Sequence, residues 1–203
     1  MTYRTIVIDP PWRYLVGERT EREAYQRADG SPSRRVGSPV ADGQYPTMTH
    51  AEIAALPIGD YADDQAHLYL WVTNPRLFFD KAGNGPTPAE MMRGWGFDYT
   101  TMLTWQKLGP PGLGWYFRGN TEHVLFGVKG KLGIASNLRE SNHFAAAKGR
   151  HSAKPDRFYE LVERVSPGPY LELFARRRRY GWDVWGNEAP EFAASQAEMG
   201  LAG

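Results

Sequence analysis

The stretch "YRTIVIDPPW", residues 3–12, decides how the rest of the chain is read. Its first six residues are rich in β-branched and aromatic types and predict a strand. The strand stops at Asp9, because Pro10 and Pro11 have no N–H to give to a ladder. The stop has two readings. It is an ordinary strand end, or a rigid loop built to hold something flat.

Working outward, strand-like runs recur at "HLYLWVT" (67–73), "FDYTTMLTW" (97–105), "TEHVLFGV" (121–128) and "YLELFA" (170–175). Helix starts lie between them. Thr49 with Glu52 and Thr87 with Glu90 have capping-box spacing, and Pro88 stands at a first helical position. Asn74-Pro75 is a further cap-plus-proline start. In "KPDRFYELVERVSPG", Phe158, Leu161, Val162 and Val165 share one face between Pro155 and Pro167-Gly168. Strands alternating with helices predict an α/β sheet covered on both faces. Ligands of such sheets bind beyond the carboxyl ends of the strands, which is where Asp9 to Trp12 fall.

Two stretches break the pattern. Residues 13–44 carry Arg13, Arg19, Arg22, Arg27, Arg34 and Arg35 among Gly, Ser and Asp, with no sustained period. They predict a mobile substrate loop that orders on nucleic acid. Residues 106–120, "QKLGPPGLGWYFRGN", lack the strand and helix context of a dinucleotide fingerprint and read as a loop that could wall a base-entry path.

The 203 residues, 41% hydrophobic and 23% charged, suit one globular domain with a full core. There is no cysteine, which removes disulfides and thiolate metal sites and fits a reducing compartment. No stretch approaches the ~20 apolar residues of a membrane span, so a cytoplasmic protein is expected. Net charge is +1, but it is unevenly spread. Residues 139–179 hold ten Lys/Arg against five Asp/Glu, whereas 180–203 hold four acids and no base. That pattern predicts a basic face followed by a solvated tail over 191–203.

The chemistry offered at 9–12 suits a flat heteroaromatic amine. Asp9 supplies a carboxylate acceptor, and proline fixes the direction of the Asp9 and Pro10 carbonyls. Trp12 or Tyr14 offers a stacking face. An exocyclic purine amine is a poor nucleophile, because its lone pair is delocalised into the ring. Acceptors that grip its hydrogens favour a pyramidal nitrogen and free that lone pair, a form of electrostatic preorganisation. With no clustered ligands at metal spacing, no metal is expected. His123 and His151 are read as structural.

"DPPW" after a short apolar strand resembles the MT-A type N6-adenine methyltransferases, the family of the messenger-RNA adenosine methyltransferase catalytic subunit. The resemblance continues in order through "YPTMTHAEIAALPI" (45–58), "LYLWVT" (68–73), "LTWQK" (103–107), "NTEHVLFGVKG" (120–130) and "HSAKPDRFYELVERVSPGPYLELFARRRRYGWDVWGNE" (151–188). It implies a Rossmann-like α/β methyltransferase fold over residues 1–190, permuted so that the catalytic segment comes first and the cofactor segment last. The implied cofactor is S-adenosyl-L-methionine. By position, Asp9, Lys154, Arg176, Asn187 and Glu188 would bind it. Asp9, Pro10, Pro11 and Trp12 would form the catalytic motif, and Trp12, Tyr45, Glu122 and Lys154 would face the substrate base.

Two departures stand out. Relatives carry an Asp-containing cofactor segment upstream of the motif, where this chain has eight residues. The cofactor strand is followed by Arg176-Arg177-Arg178-Arg179, an unusual run. The implied substrate is a nucleic acid, DNA ahead of RNA because the compact chain is similar to microbial and phage members. A homodimer or partner subunit stays open, as does a non-catalytic binding role.

Overall fold

The structure is a computed structural model that describes residues 1–13, 47–78, 85–112, 117–149 and 153–185. Its frame is one seven-stranded sheet. β1 (Tyr3–Ile8), β2 (Ala62–Val72), β3 (Asp98–Leu108), β4 (Thr121–Lys129), β5 (His143–Ala147), β6 (Tyr170–Leu173) and β7 (Trp182–Trp185) lie in the order β5-β3-β4-β2-β1-β6-β7. β1 pairs in parallel with β2 and with β6, and β6 in parallel with β7. β4 runs antiparallel to both its neighbours, β2 and β3, and is the one reversed strand of the sheet. The reversal places the start of β4, not its end, beside the carboxyl ends of β1 and β2.

Period-2 alternation assigns the strands to two apolar layers. Ile6 and Ile8 of β1, with Leu68, Leu70 and Val72 of β2, point to one face. There they meet α1 (His50–Ala54), α2 (Ile58–Tyr61) and α3 (Pro88–Gly94) through Ile53, Ile58, Met91 and Met92. Val7, Tyr69, Trp71, Leu103, Trp105 and Phe126 point to the other face. They meet α4 (Asp156–Val165) through Phe158, Tyr159, Leu161 and Val162. A side chain such as Phe158, with no exposed surface, contributes about 1.5–3 kcal/mol by burial.

Both expected capping boxes are present. Thr49 and Thr87 accept from the backbone N–H of Glu52 and Glu90, whose carboxylates return to the cap backbone. The Asn74-Pro75 start yields one 3-10 turn over Asn74–Arg76. β5 and β7 are strands that sequence reading did not anticipate. No helix among the described residues is long and apolar enough to cross a membrane.

Candidate active site

The site is built where β1 and β2 end and β4 begins. β1 delivers Asp9 past Ile8, and the Asp9 N–H donates to Leu173 O of β6 at 3.4 Å. Beyond it the chain turns tightly, with Trp12 N–H donating to Pro10 O at 2.8 Å. Of the two carbonyls expected to face an amine, that of Pro10 therefore already holds one hydrogen bond. Pro11 O accepts from Met48 N–H at 2.7 Å, and Met48 O accepts from Arg13 N–H at 2.9 Å. The motif is thus pinned on both sides of its prolines.

Trp12 lies elsewhere than expected. It is only 4% exposed, its Nε1 donates to Trp71 O at 3.0 Å, and its ring meets His50 edge-on at 4.9 Å. Burial, the indole hydrogen bond and the His50 contact commit the ring to the core, where it anchors the loop rather than offering a stacking face. Tyr14, the alternative stacking residue, lies outside the described residues, as do the 14–44 part of the substrate loop, Tyr45, His151, Asn187, Glu188 and the tail.

Asp9, Glu122 and Lys154 come together. Lys154, two residues before α4, places Nζ 3.0 Å from Asp9 Oδ1 and 3.1 Å from Glu122 Oε2. Its ammonium also lies 4.6 Å from the centre of the Trp71 ring. The other Glu122 oxygen, Oε1, accepts from Lys107 Nζ, which reaches across from β3 and lies 5.1 Å from the Trp105 ring centre. Cations and carboxylates therefore alternate in a four-membered row, Lys107, Glu122, Lys154, Asp9. Burial works against the Lys154 charge, but Asp9 and Glu122 more than offset it and raise its pKa. Burial likewise pushes the Glu122 carboxyl up, and Lys154 and Lys107 override it, so Glu122 sits below the usual carboxylate range. Among the described residues, Asp9 Oδ2 holds no hydrogen bond, and no group of His and carboxylates suited to a metal occurs.

Lys107 escaped sequence reading because its partner is across a hairpin. Only the register, with Gln106 opposite Thr121 and Trp105 opposite Glu122, reveals the approach. His123 is held at both ring nitrogens. Nε2 pairs with Asn74 Oδ1 at 2.7 Å and Nδ1 with Thr104 Oγ1 at 3.2 Å, and burial lowers its pKa. That arrangement suits a neutral ring donating from Nε2 and accepting at Nδ1.

Past β6, Phe174 takes φ 61°, the left-handed turn that glycine enters most easily. The chain thus makes a sharp turn after this strand without glycine. Arg176 follows it, half-buried. Arg177 and Arg179 instead fold back onto α4: both pair with Asp156, the Arg179 contact being 2.6 Å. Arg179 also lies 4.0 Å from the Tyr159 ring centre. Beneath them Tyr159 Oη donates to Glu172 Oε1 at 2.6 Å. Burial, reinforced by the Asp9 charge, raises Glu172 to about 7, against the hydrogen bond from Tyr159.

The family model MT-A70 matches residues 3–188. The chain belongs to the MT-A70 family. Among curated members, the type II methyltransferase M.MunI of Mycoplasma sp. is 30% identical over 93% of this chain and 78% of its own length. Human N(6)-adenine-specific methyltransferase METTL4 is 26% identical over 94% of the chain, which spans 38% of that protein. The human N(6)-adenosine-methyltransferase catalytic subunit METTL3 is 29% identical over 71% of the chain, which spans a quarter of its length. Asp9 through Trp12 and the row from Lys107 to Lys154 all fall within the matched MT-A70 segment.

Proposed function

We propose that this MT-A70 chain is an S-adenosylmethionine-dependent methyltransferase acting on the N6 amine of adenine in DNA. It works as a single domain over residues 1–190 of permuted order, motif strand first and cofactor segment last, in the cytoplasm. The observation that carries the reading is Asp9. It stands at the carboxyl end of a central strand, held through Oδ1 by Lys154, with Oδ2 left to accept. The substrate assignment draws on M.MunI, a type II methyltransferase matched along most of both chains, and on the N6-adenine specificity named for METTL4.

The residues fit the cofactor's chemistry. A carboxylate oxygen without a hydrogen bond suits an ammonium, and Arg176 follows the turn at Phe174 where a carboxylate or ribose would approach. Asn187 and Glu188 complete this set in the proposal. Bound there, the cofactor supplies an electrophilic methyl group on a sulfonium. The protein's part is orientation and charge. Asp9 Oδ2 and the free lone pairs of the Asp9 and Pro10 carbonyls accept from the adenine amine and favour its pyramidal form. Lys154 fixes the Asp9 carboxylate in place, and the Glu122–Lys107 pair fixes Lys154. The base is presented out of the stack, because its amine cannot reach Asp9 from within a duplex. The amine proton is lost after attack, to water or to Asp9.

The test is transfer of labelled methyl from S-adenosylmethionine to DNA and RNA oligonucleotides, wild type against Asp9→Ala. Transfer to DNA that Asp9→Ala abolishes is expected. Transfer to RNA alone would overturn the DNA assignment, and binding without transfer to either would leave a non-catalytic subunit.

A further inference from the structure

The connection from β3 to β4 leaves the same end of the sheet as Asp9, and its described residues are braced. Its stem closes with Lys107 N–H on Asn120 O at 2.7 Å and Gly112 N–H on Gly119 O at 2.8 Å. Arg118 then folds inward, Nε donating to Gly112 O at 3.2 Å and Nη2 to Pro111 O at 2.8 Å. From just past β5, Lys148 Nζ donates to Pro110 O at 3.0 Å. Three successive carbonyl-bearing positions, 110 to 112, are thus tied down by two basic side chains. Phe117, next to the anchored Arg118, is 90% exposed. Leu108, at the root, is 51% exposed.

Among the described residues nothing packs against the Phe117 ring, and an aromatic presented to solvent gains nothing for the core. Position gives it a use. Glu122, which touches Lys154, lies five residues along the chain, so Phe117 is within about 18 Å of it even if the strand between were fully extended. Residues 106–120 contain Lys107 and Arg118 and no acid, and 141–150 contain Lys148 and no acid. Lys107 is paired with Glu122, but Arg118 and Lys148 bind only carbonyls among the described residues and carry the positive charge to which phosphates are drawn.

We infer that Phe117 is a wedge that enters double-stranded DNA beside the target adenine and holds the helix open while the base is at Asp9. The inference rests on the DNA reading above. Extruding a base leaves a gap in the stack and costs unstacking energy, and a planar apolar side chain offsets part of that loss by stacking in its place. A single strand needs no such help. Phe117 is thus a positioning residue for paired substrate only.

The experiment uses unmethylated genomic DNA from one preparation, native or heat-denatured, because no recognition sequence is needed. Labelled methyl incorporation is measured for wild type, Phe117→Ala and Phe117→Trp. Phe117→Ala is expected to slow methylation of native DNA by about five- to tenfold, the loss of one base-stacking contact. It should leave denatured DNA at the wild-type rate, and Phe117→Trp should keep the native-DNA rate. Equal slowing on both forms, or no slowing on native DNA, overturns the wedge while leaving the DNA reading intact. A wild type active only on denatured DNA also overturns it. A wild type silent on both forms overturns the DNA reading, and the wedge falls with it.

Discussion

Replacing Lys154 by methionine keeps the stem against Trp71 and removes only the charge between Asp9 and Glu122. The lysine side chain is 9% exposed, and the two carboxylates are 14% and 15% exposed. At an effective dielectric near 20, contacts of 3.0 and 3.1 Å are each worth about 5 kcal/mol in gross attraction. Desolvation cancels much of this, but deleting one member strands the others, and buried pairs broken in this way cost about 3–5 kcal/mol. The pH dependence follows from the shifts. Glu122 is held below the ordinary carboxylate range, so its contribution is complete above that range and is lost as pH falls through the lowered value. Lys154 is raised, so its contribution is complete below the ordinary lysine range and is lost only as pH rises through the raised value. In the variant, Asp9 and Glu122 face each other without Lys154, and a proton on Glu122 relieves the repulsion. Urea unfolding at pH 5, 6, 7 and 8 should show a deficit of about 3–5 kcal/mol at pH 7 to 8 that shrinks towards pH 5. Adding Glu122→Gln should recover about 1 kcal/mol or more relative to additivity, and methyl transfer should be lost. A deficit below about 1 kcal/mol at pH 7, the surface-pair range, or one that grows as pH falls, would refute the reasoning.

Glu172→Gln should leave stability near the wild-type value at pH 4.5 and exceed it by up to about 3 kcal/mol at pH 8. A carboxyl raised to about 7 by burial costs the folded state stability as pH climbs from its unfolded value to its folded one. Thermal unfolding across that range checks it. Trp12→Phe deletes the hydrogen bond to Trp71 O and should cost about 1–3 kcal/mol in denaturant unfolding. It should reduce methylation through a loosened motif loop, lowering kcat more than it raises KM. Thr49→Ala and Thr87→Ala, which remove the capping-box acceptors, should each cost about 1 kcal/mol without touching activity.

Legibility followed the range of the interactions. The capping boxes and the apolar face of α4 are local patterns, and both formed as spelled. The place of Asp9 just past the end of β1 was legible because a strand, an acid and two prolines are contiguous. β5, "HFAAA", escaped because three alanines have little strand preference and its pairing comes from β3 alone. β7, "WDVW", is four residues long and shows its alternation only beside β6. The reversed direction of β4 and the Lys107–Glu122 contact depend on a register set across a long hairpin, which no window of sequence contains. Trp12 misled for a related reason. An aromatic after a ligand loop looks available until the Trp71 carbonyl, 59 positions away, claims its N–H.

The central place of β1 has a consequence for how the enzyme comes into being. The strand that carries Asp9 is made well before β6, yet its Thr5 is paired with Tyr170 of that strand. Until β6 emerges, one edge of β1, whose last four residues are buried in the finished sheet, stands open, exposed to mispairing. The hydrogen bond from the Asp9 N–H to Leu173 O also closes only at that moment. A ribosome-bound fragment ending before residue 170 would therefore lack a finished site, and protease resistance with methylation would appear together, once β6 has emerged.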